Sequence, residues 1–230
     1  MEKNRVSLIW PTYIGEFYNP DHTKSKNELL DFFTEYKKNN KNSRAGGTVL
    51  SPDDKPQKEK YILDNDLYMS KYDLHLEKNE YYKKLIHFIS KSIMTISLQA
   101  NKTELKNFEY NKENLGVIIK DSWFIDYKKG GFVLPHTHPQ CSWCCVYYVQ
   151  VGDDVNSING STFFQKVRPP NQTSDFGSKY NDKTMIKVVP EEGKLVVWPQ
   201  FVMHGSTPYQ GKKNRIIISA NALVRNQKLP

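Results

Sequence analysis

The chain has 230 residues, 38% of them hydrophobic, and 33 Lys+Arg against 25 Asp+Glu for a net charge of +8. That length suits one domain with its own core, and no internal repeat or low-complexity tract interrupts it. No apolar run approaches a membrane span and the opening apolar stretch is too short for a signal peptide, so no membrane contact and a cytoplasmic, reducing location are expected.

Residues 1–20 form an aromatic opening with β character: Leu8, Ile9, Trp10, Tyr13, Ile14, Phe17 and Tyr18, punctuated by Pro11 and Pro20. A helix is predicted near Lys26 to Lys38, with Leu29, Leu30, Phe32, Phe33 and Tyr36 on its apolar face. Lys37 to Gly47 reads as a loop, and Ser51 to Lys60 as a surface excursion. A second helix is predicted over about Lys78 to Leu98, where Tyr81, Leu85, Ile89, Ile93 and Ile96 recur at spacings of three and four. Asn101 to Gly116 is a polar linker.

From Gly116 the texture becomes β. Short apolar runs at Val117–Ile119, Ser122–Tyr127, Cys144–Val149, Ser161–Phe164, Met185–Val189, Leu195–Trp198 and Arg215–Ala220 alternate with turn signals such as Lys129-Gly130-Gly131 and Asn159-Gly160. Many short strands with turns between them predict a sandwich or barrel. Residues 1–115 are expected to supply a strand and helical support, and residues 116–225 the β core, of one domain spanning 1–230.

The lysines form short scattered clusters, Lys37-Lys38, Lys83-Lys84, Lys128-Lys129 and Lys212-Lys213, which read first as solvated faces. A nucleic-acid partner stays open, because a basic balance favours anionic surfaces.

The residues that carry chemistry lie in the β half. His136 and His138, in Leu134-Pro-His-Thr-His-Pro139, have the i, i+2 spacing that projects two side chains to one side of an extended strand. His204, 68 residues beyond His136, sits in a strand-to-turn setting between Pro199 and Gly205. A ferrous oxygenase site needs three protein ligands on one face of the metal, with the other positions open. Arg215 then starts a strand on which Arg215, Ile217, Ser219 and Asn221 share a face. An inward guanidinium near a metal is costly unless an anion meets it, and a dicarboxylate chelating the metal at its other end would do so. Cys141, Cys144 and Cys145 make an odd cluster beside the histidines, so structural zinc is an alternative; adjacent strand residues point to opposite faces, however, which leaves reduced packing cysteines as the simpler reading. Trp123, Trp143 and Trp198 read as core or pocket walls, and of Tyr147 and Tyr148 at most one faces the pocket.

Taken in order, Ser122–Gly131, Pro135-His-Thr-His-Pro139, Trp143–Val149, Asn159-Gly160, Gly193–Pro199, His204-Gly205 and Arg215 to Asn221 resemble the 2-oxoglutarate- and Fe(II)-dependent oxygenases, in particular a small group with a His-x-His-Pro motif. The resemblance covers roughly residues 117–224, and Leu8 to Thr12 is a weaker match. It implies a mainly β fold with supporting helices, a double-stranded β-helix (a jelly-roll, cupin-like barrel). It implies a dioxygenase, a hydroxylase acting with O2 on a substrate that the sequence does not name, with a peptidyl or prolyl side chain as one candidate.

By resemblance the cofactors are Fe(II) and 2-oxoglutarate, with ascorbate as a candidate reductant. His136 and His204 would be metal ligands, and Arg215 would bind the distal carboxylate of 2-oxoglutarate, with Ser219, Asn221, Tyr127 or Tyr148 beside it. Wider relatives carry an acidic ligand two residues after the first histidine, and here that position is His138. Three readings follow: His138 is the third ligand; a carboxylate among Asp121, Asp126, Asp153, Asp154 and Asp175 completes the site; or His138 only supports a two-ligand site. Rival functions are a three-histidine dioxygenase that does not use 2-oxoglutarate, and a non-catalytic ligand- or zinc-binding barrel.

Overall fold

A computed structural model describes residues 12–41, 67–103, 114–166, 177 and 183–226. The elements run β1 (Gly15–Tyr18), α1 (His22–Asn39), β2 (Leu67–Met69), a 3-10 turn (Leu74–Leu76), α2 (Glu80–Ala100), β3 (Leu115–Tyr127), β4 (Trp143–Gln150), β5 (Thr162–Gln165), β6 (Met185–Val188), β7 (Lys194–Pro199), β8 (Met203–Ser206) and β9 (Arg215–Asn226). The expectations for Leu8 to Pro11, for Ser51 to Lys60 and for Asp175 fall outside the described residues.

Strands β1-β7-β4-β9-β3-β2 form a six-stranded sheet and β6-β5-β8 a three-stranded one, with antiparallel ladders throughout. Segment 133–136 runs beside β8, through a bridge between His136 and His204 and through Val133, whose carbonyl accepts from Ser206 N. The two sheets form the expected double-stranded β-helix, although the ladders do not close into one continuous barrel.

The period of two in each central strand divides the core. In β4, Trp143, Cys145, Tyr147 and Val149 face the helices, while Cys144, Val146 and Tyr148 face the minor sheet. The helix layer follows from sequence periodicity: Leu29, Phe33 and Tyr36 of α1 and Tyr82, Leu85, Ile89, Ile93 and Ile96 of α2 are buried on the major sheet. Phe33 stacks on Phe124 of β3 with centroids 4.4 Å apart. Each such large apolar side chain contributes about 1.5–3 kcal/mol when buried. Helix α2 begins where Asn79 Oδ1 accepts from Tyr82 N at 2.9 Å, which brings Tyr82 rather than Tyr81 into the core.

Three local expectations need correction. Helix α1 starts at His22, four residues before Lys26, because Asn19 and Asp21 accept the first-turn amides. The runs at Val117 and Ser122 are one strand with a register shift between Ile119 and Asp121. The strand-to-turn setting expected for His204 runs the other way: β7 ends at Pro199, the turn follows, and His204 is the second residue of β8.

Candidate metal centre and cosubstrate pocket

The register of β8 against segment 133–136 brings the histidines together. His136 N and His204 O are 2.9 Å apart, His204 N and His136 O 3.0 Å, so the two side chains meet across one bridge. Close approach of these chains requires Gly205: a Cβ there would stand 2.8 Å from Val133 O and 2.7 Å from the Phe163 ring. His138 is placed by its own amide, which donates to Gln200 O at 3.2 Å.

His138 Nε2 lies 3.1 Å from His136 Nε2 and 3.2 Å from His204 Nε2. His136 Nδ1 donates to Leu134 O and His204 Nδ1 to Val202 O, each at 2.8 Å, which leaves both Nε2 atoms as bare lone pairs. Trp198 Nε1 lies 3.2 Å from His204 Nδ1 and walls that ring. Trp123 stacks on His138 with centroids 5.9 Å apart. Burial holds all three imidazoles neutral: it lowers His136, pushes His138 down to about 4, with His136 adding to the shift, and pushes His204 down to about 2, with both neighbours adding.

Three converging Nε2 atoms cannot all be satisfied by one another. A proton on His138 Nε2 would serve one neighbour and leave the other facing it unpaired. A cation answers all three. Nitrogens about 2.1 Å from a metal stand about 3.0 Å apart at right angles and about 3.4 Å apart at tetrahedral angles. The two His138 spacings fall in that range, and all three ligand atoms lie within 4.8 Å of one another. Among the described residues these three are the one group of His, Cys, Asp and Glu side chains that converges in this way.

Among the described residues no carboxylate joins them; of the five aspartates in the second reading, Asp175 lies outside the described residues. Asp121 accepts from Asn221, Asp126 from Lys37, and Asp153 from Tyr209 and Lys213 N. At the cysteines, Cys144 faces the cavity side and Cys145 the helices, and among the described residues no cysteine joins a group of three potential ligands. Cys141 Sγ and Cys144 Sγ are 3.6 Å apart and buried, packed beside Trp123 and Trp198.

The histidines line a cavity of about 50 Å³, together with Met69, Ile125, Val146, Trp198 and Ile217, and with the polar groups Arg215, Tyr127, Thr162, Ser206 and Ser219. Arg215 is only 1% exposed, and its Nε and Nη2 are buried without a hydrogen-bond partner. It is held by rings instead: Cζ lies 4.5 Å from the Tyr127 centroid and 5.6 Å from that of Tyr148. No described carboxylate forms an ion pair with it. An unpaired buried guanidinium costs several kcal/mol, on the order of the effective penalty for one desolvated ion, until an anion arrives.

The structure gathers His136, His138, His204, Arg215, Tyr127 and Ser219 around this cavity. Tyr148 adjoins it through Thr162, its hydroxyl 2.7 Å from Thr162 Oγ1. Asn221 lies at the end of the same strand face, where its amide donates to Asp121 Oδ2 at 3.2 Å. Sequence reasoning missed Thr162, Ser206 and the Leu134 and Val202 carbonyls. The hydroxyls carried a faint signal as polar positions in apolar strands; the carbonyls carried none, since they act through register rather than side-chain identity.

Residues 121–221 match the sequence profile of a family described as "Putative 2OG-Fe(II) oxygenase". No curated protein matches the chain in sequence. Among solved structures, a prolyl-4-hydroxylase from Pseudomonas putida is similar at 12% identity and a TM-score of 0.53, covering 92% of each chain. The alpha-ketoglutarate-dependent carbocyclase SnoK from nogalamycin biosynthesis matches at 11% identity and a TM-score of 0.58, over 91% of this chain and 78% of its own. The epimerase SnoN, solved with Fe3+, alpha ketoglutarate and nogalamycin RO, matches at 10% identity and a TM-score of 0.57, over 94% of this chain and 83% of its own. In sequence over residues 121–221, and in fold, the chain resembles the 2-oxoglutarate/Fe(II)-dependent oxygenase superfamily, which supports an oxygenase enzyme.

Proposed function

We propose that the protein is a 2-oxoglutarate- and Fe(II)-dependent dioxygenase that hydroxylates a C–H bond of a substrate still to be found. The observation that carries this reading is one cavity with a metal-binding trio at one place and a buried, unpaired guanidinium at another. His136, His138 and His204 would hold Fe(II) through Nε2. With the metal bound, 2-oxoglutarate and O2 yield succinate, CO2 and one oxygen atom for the substrate.

The residues supply binding, orientation and exclusion of water. Arg215 pairs with the distal carboxylate of 2-oxoglutarate and thereby removes its own burial penalty. The Tyr127 ring fixes the guanidinium plane, and Ser219 offers a hydroxyl on the same strand face. Met69, Ile125, Val146 and Ile217 keep the space between dry, which strengthens each charge contact there. Three neutral imidazoles leave the charge of the cation undiminished, so metal and Arg215 together carry +3 towards a dianion. A histidine in place of the usual carboxylate therefore favours retention of the cosubstrate.

A peptidyl or prolyl side chain is the first substrate to test, since one protein of similar fold is a prolyl-4-hydroxylase. The test is succinate release by the purified protein with Fe(II), 2-oxoglutarate and O2 added singly and together. Succinate is expected only when all three are present, and not from His204→Ala. Oxygen uptake that needs the metal but not 2-oxoglutarate would instead support a three-histidine dioxygenase of another kind.

A further inference from the structure

Each ligand imidazole needs an acceptor for its remote N–H, because that bond fixes the tautomer and aims Nε2. His136 uses Leu134 O and His204 uses Val202 O. Both acceptors are backbone atoms two residues upstream. No such carbonyl is found for His138 among the described residues; its ring stacks on Trp123, and Asn221 lies on the same sheet face, where the pair Asp121–Asn221 follows the pair Trp123–Ser219. Asn221 is 8% exposed, and its Oδ1 is buried without a hydrogen-bond partner of its own. Its Nδ2 donates to Asp121 Oδ2 at 3.2 Å. A carboxylate only accepts, so this bond settles which end of the amide turns away from Asp121.

The strand register makes the arrangement possible. Asp121 and Asn221 are direct cross-strand partners immediately after the register shift between Ile119 and Asp121. They thereby share the face of Trp123, Ser219, Tyr127 and Arg215, at the end of the cavity wall. A bulge that re-aims one side chain beside a site is a common use of such irregularities.

We propose that Asn221 and Asp121 are positioning residues for the third metal ligand: when the cation is bound, the free Asn221 Oδ1 accepts from His138 Nδ1–H, so that Nε2 points at the cation, and Asp121 holds the Asn221 amide in that orientation. The carboxylate absent from the ligand set is returned two steps behind His138. This inference rests on the reading of His138 as a ligand.

Co(II) serves as a spectroscopic probe, added to the metal-free full chain. Asn221→Ala is expected to weaken Co(II) binding about 10–100-fold, the usual cost of losing an outer partner of a ligating histidine. Three paramagnetically shifted, exchangeable imidazole N–H resonances are expected from the parent, and that of His138 is expected to disappear into solvent exchange in the variant. Asp121→Ala should weaken binding less, Asp121→Asn should restore part of the loss, and the double variant should be no worse than Asn221→Ala, as for two members of one chain of contacts. His138→Ala separates the two levels of the inference. If it weakens Co(II) binding while Asn221→Ala stays within about twofold and keeps all three resonances, the positioning role is overturned and the ligand reading stands. If His138→Ala itself leaves affinity unchanged, both fall. Should Asn221→Ala not fold, Asp121→Ala decides: affinity within about twofold of the parent overturns the role.

Discussion

The two faces of the major sheet are built from neighbouring residues of the same strands, yet they differ in how completely they satisfy themselves. On the helix side, Phe124 stacks on Phe33, the Tyr82 hydroxyl meets Ser122 Oγ at 2.9 Å, the Tyr147 hydroxyl meets His22 Nδ1 at 2.7 Å, and Asp126 is paired with Lys37; His22 Nε2 and Asp126 Oδ1 lack a hydrogen bond there, but each side chain is bonded through its other polar atom. On the cavity side, one residue along each strand, Arg215 and Trp123 carry buried polar atoms without partners, and three imidazole nitrogens converge on one point. Native interiors pair their buried polar groups, so a face that leaves them unpaired is a face shaped for something else to occupy. The helix face stores stability; the cavity face spends some of it on a site.

Four substitutions would break or sharpen this contrast. The largest effect is expected from His204→Ala: metal affinity should fall by more than about 100-fold, since even outer partners are worth about 10–100-fold, and succinate formation should vanish with it. Equilibrium dialysis with metal analysis reads the first, mass spectrometry the second. On the other face, Phe124→Ala should cost about 3–5 kcal/mol of unfolding free energy by opening a cavity against Phe33 and Tyr36, with metal affinity unchanged in the folded fraction. Denaturant titration checks it, and a large loss of metal affinity would blur the division between the faces.

Arg215→Met tests the cost of the cavity face from the opposite direction. In the metal-free protein it should leave unfolding free energy equal or raise it by about 1–4 kcal/mol, as apolar replacements of uncompensated buried charge do. A clear destabilisation would mean that the guanidinium is already satisfied by the protein.

The smallest effect concerns pH. Burial lowers His22 below its usual range, with Glu192 opposing the shift, so the folded chain binds this proton less readily than the unfolded chain. Its contribution to stability is complete above about pH 6.5 and declines as the pH falls through the folded value, by at most about 1.4 kcal/mol per pH unit. Relative to the parent, His22→Gln should flatten the stability curve below pH 6.5. An unchanged slope would show that His22 titrates normally.

Much of the cavity face was legible in the sequence because its chemistry resides in side-chain types and in a period of two. His136, His138, His204 and Arg215 announce a metal and an anion, and alternation alone separated Cys144 from Cys145 and Tyr147 from Tyr148. What stayed hidden depends on register. Nothing in the composition around Val117 to Tyr127 reveals the shift that pairs Asp121 with Asn221, and nothing around Met203 reveals that His204 lies in a strand bridged to His136. The short strand β2, Leu67–Met69, was missed because three residues carry no period. The choice among the roles of His138 could not be made from spacing, since it turns on where five aspartates lie in space.

The most direct measurement is anaerobic calorimetry of 2-oxoglutarate binding to the protein with and without Fe(II), in the parent and in Arg215→Met. The expected result is one equivalent bound only when the metal is present, with affinity reduced by about 2–5 kcal/mol in Arg215→Met, the cost of removing one partner of a buried charge pair. Binding that is absent, or that is indifferent to both the metal and Arg215, would contradict a cavity built for the two together.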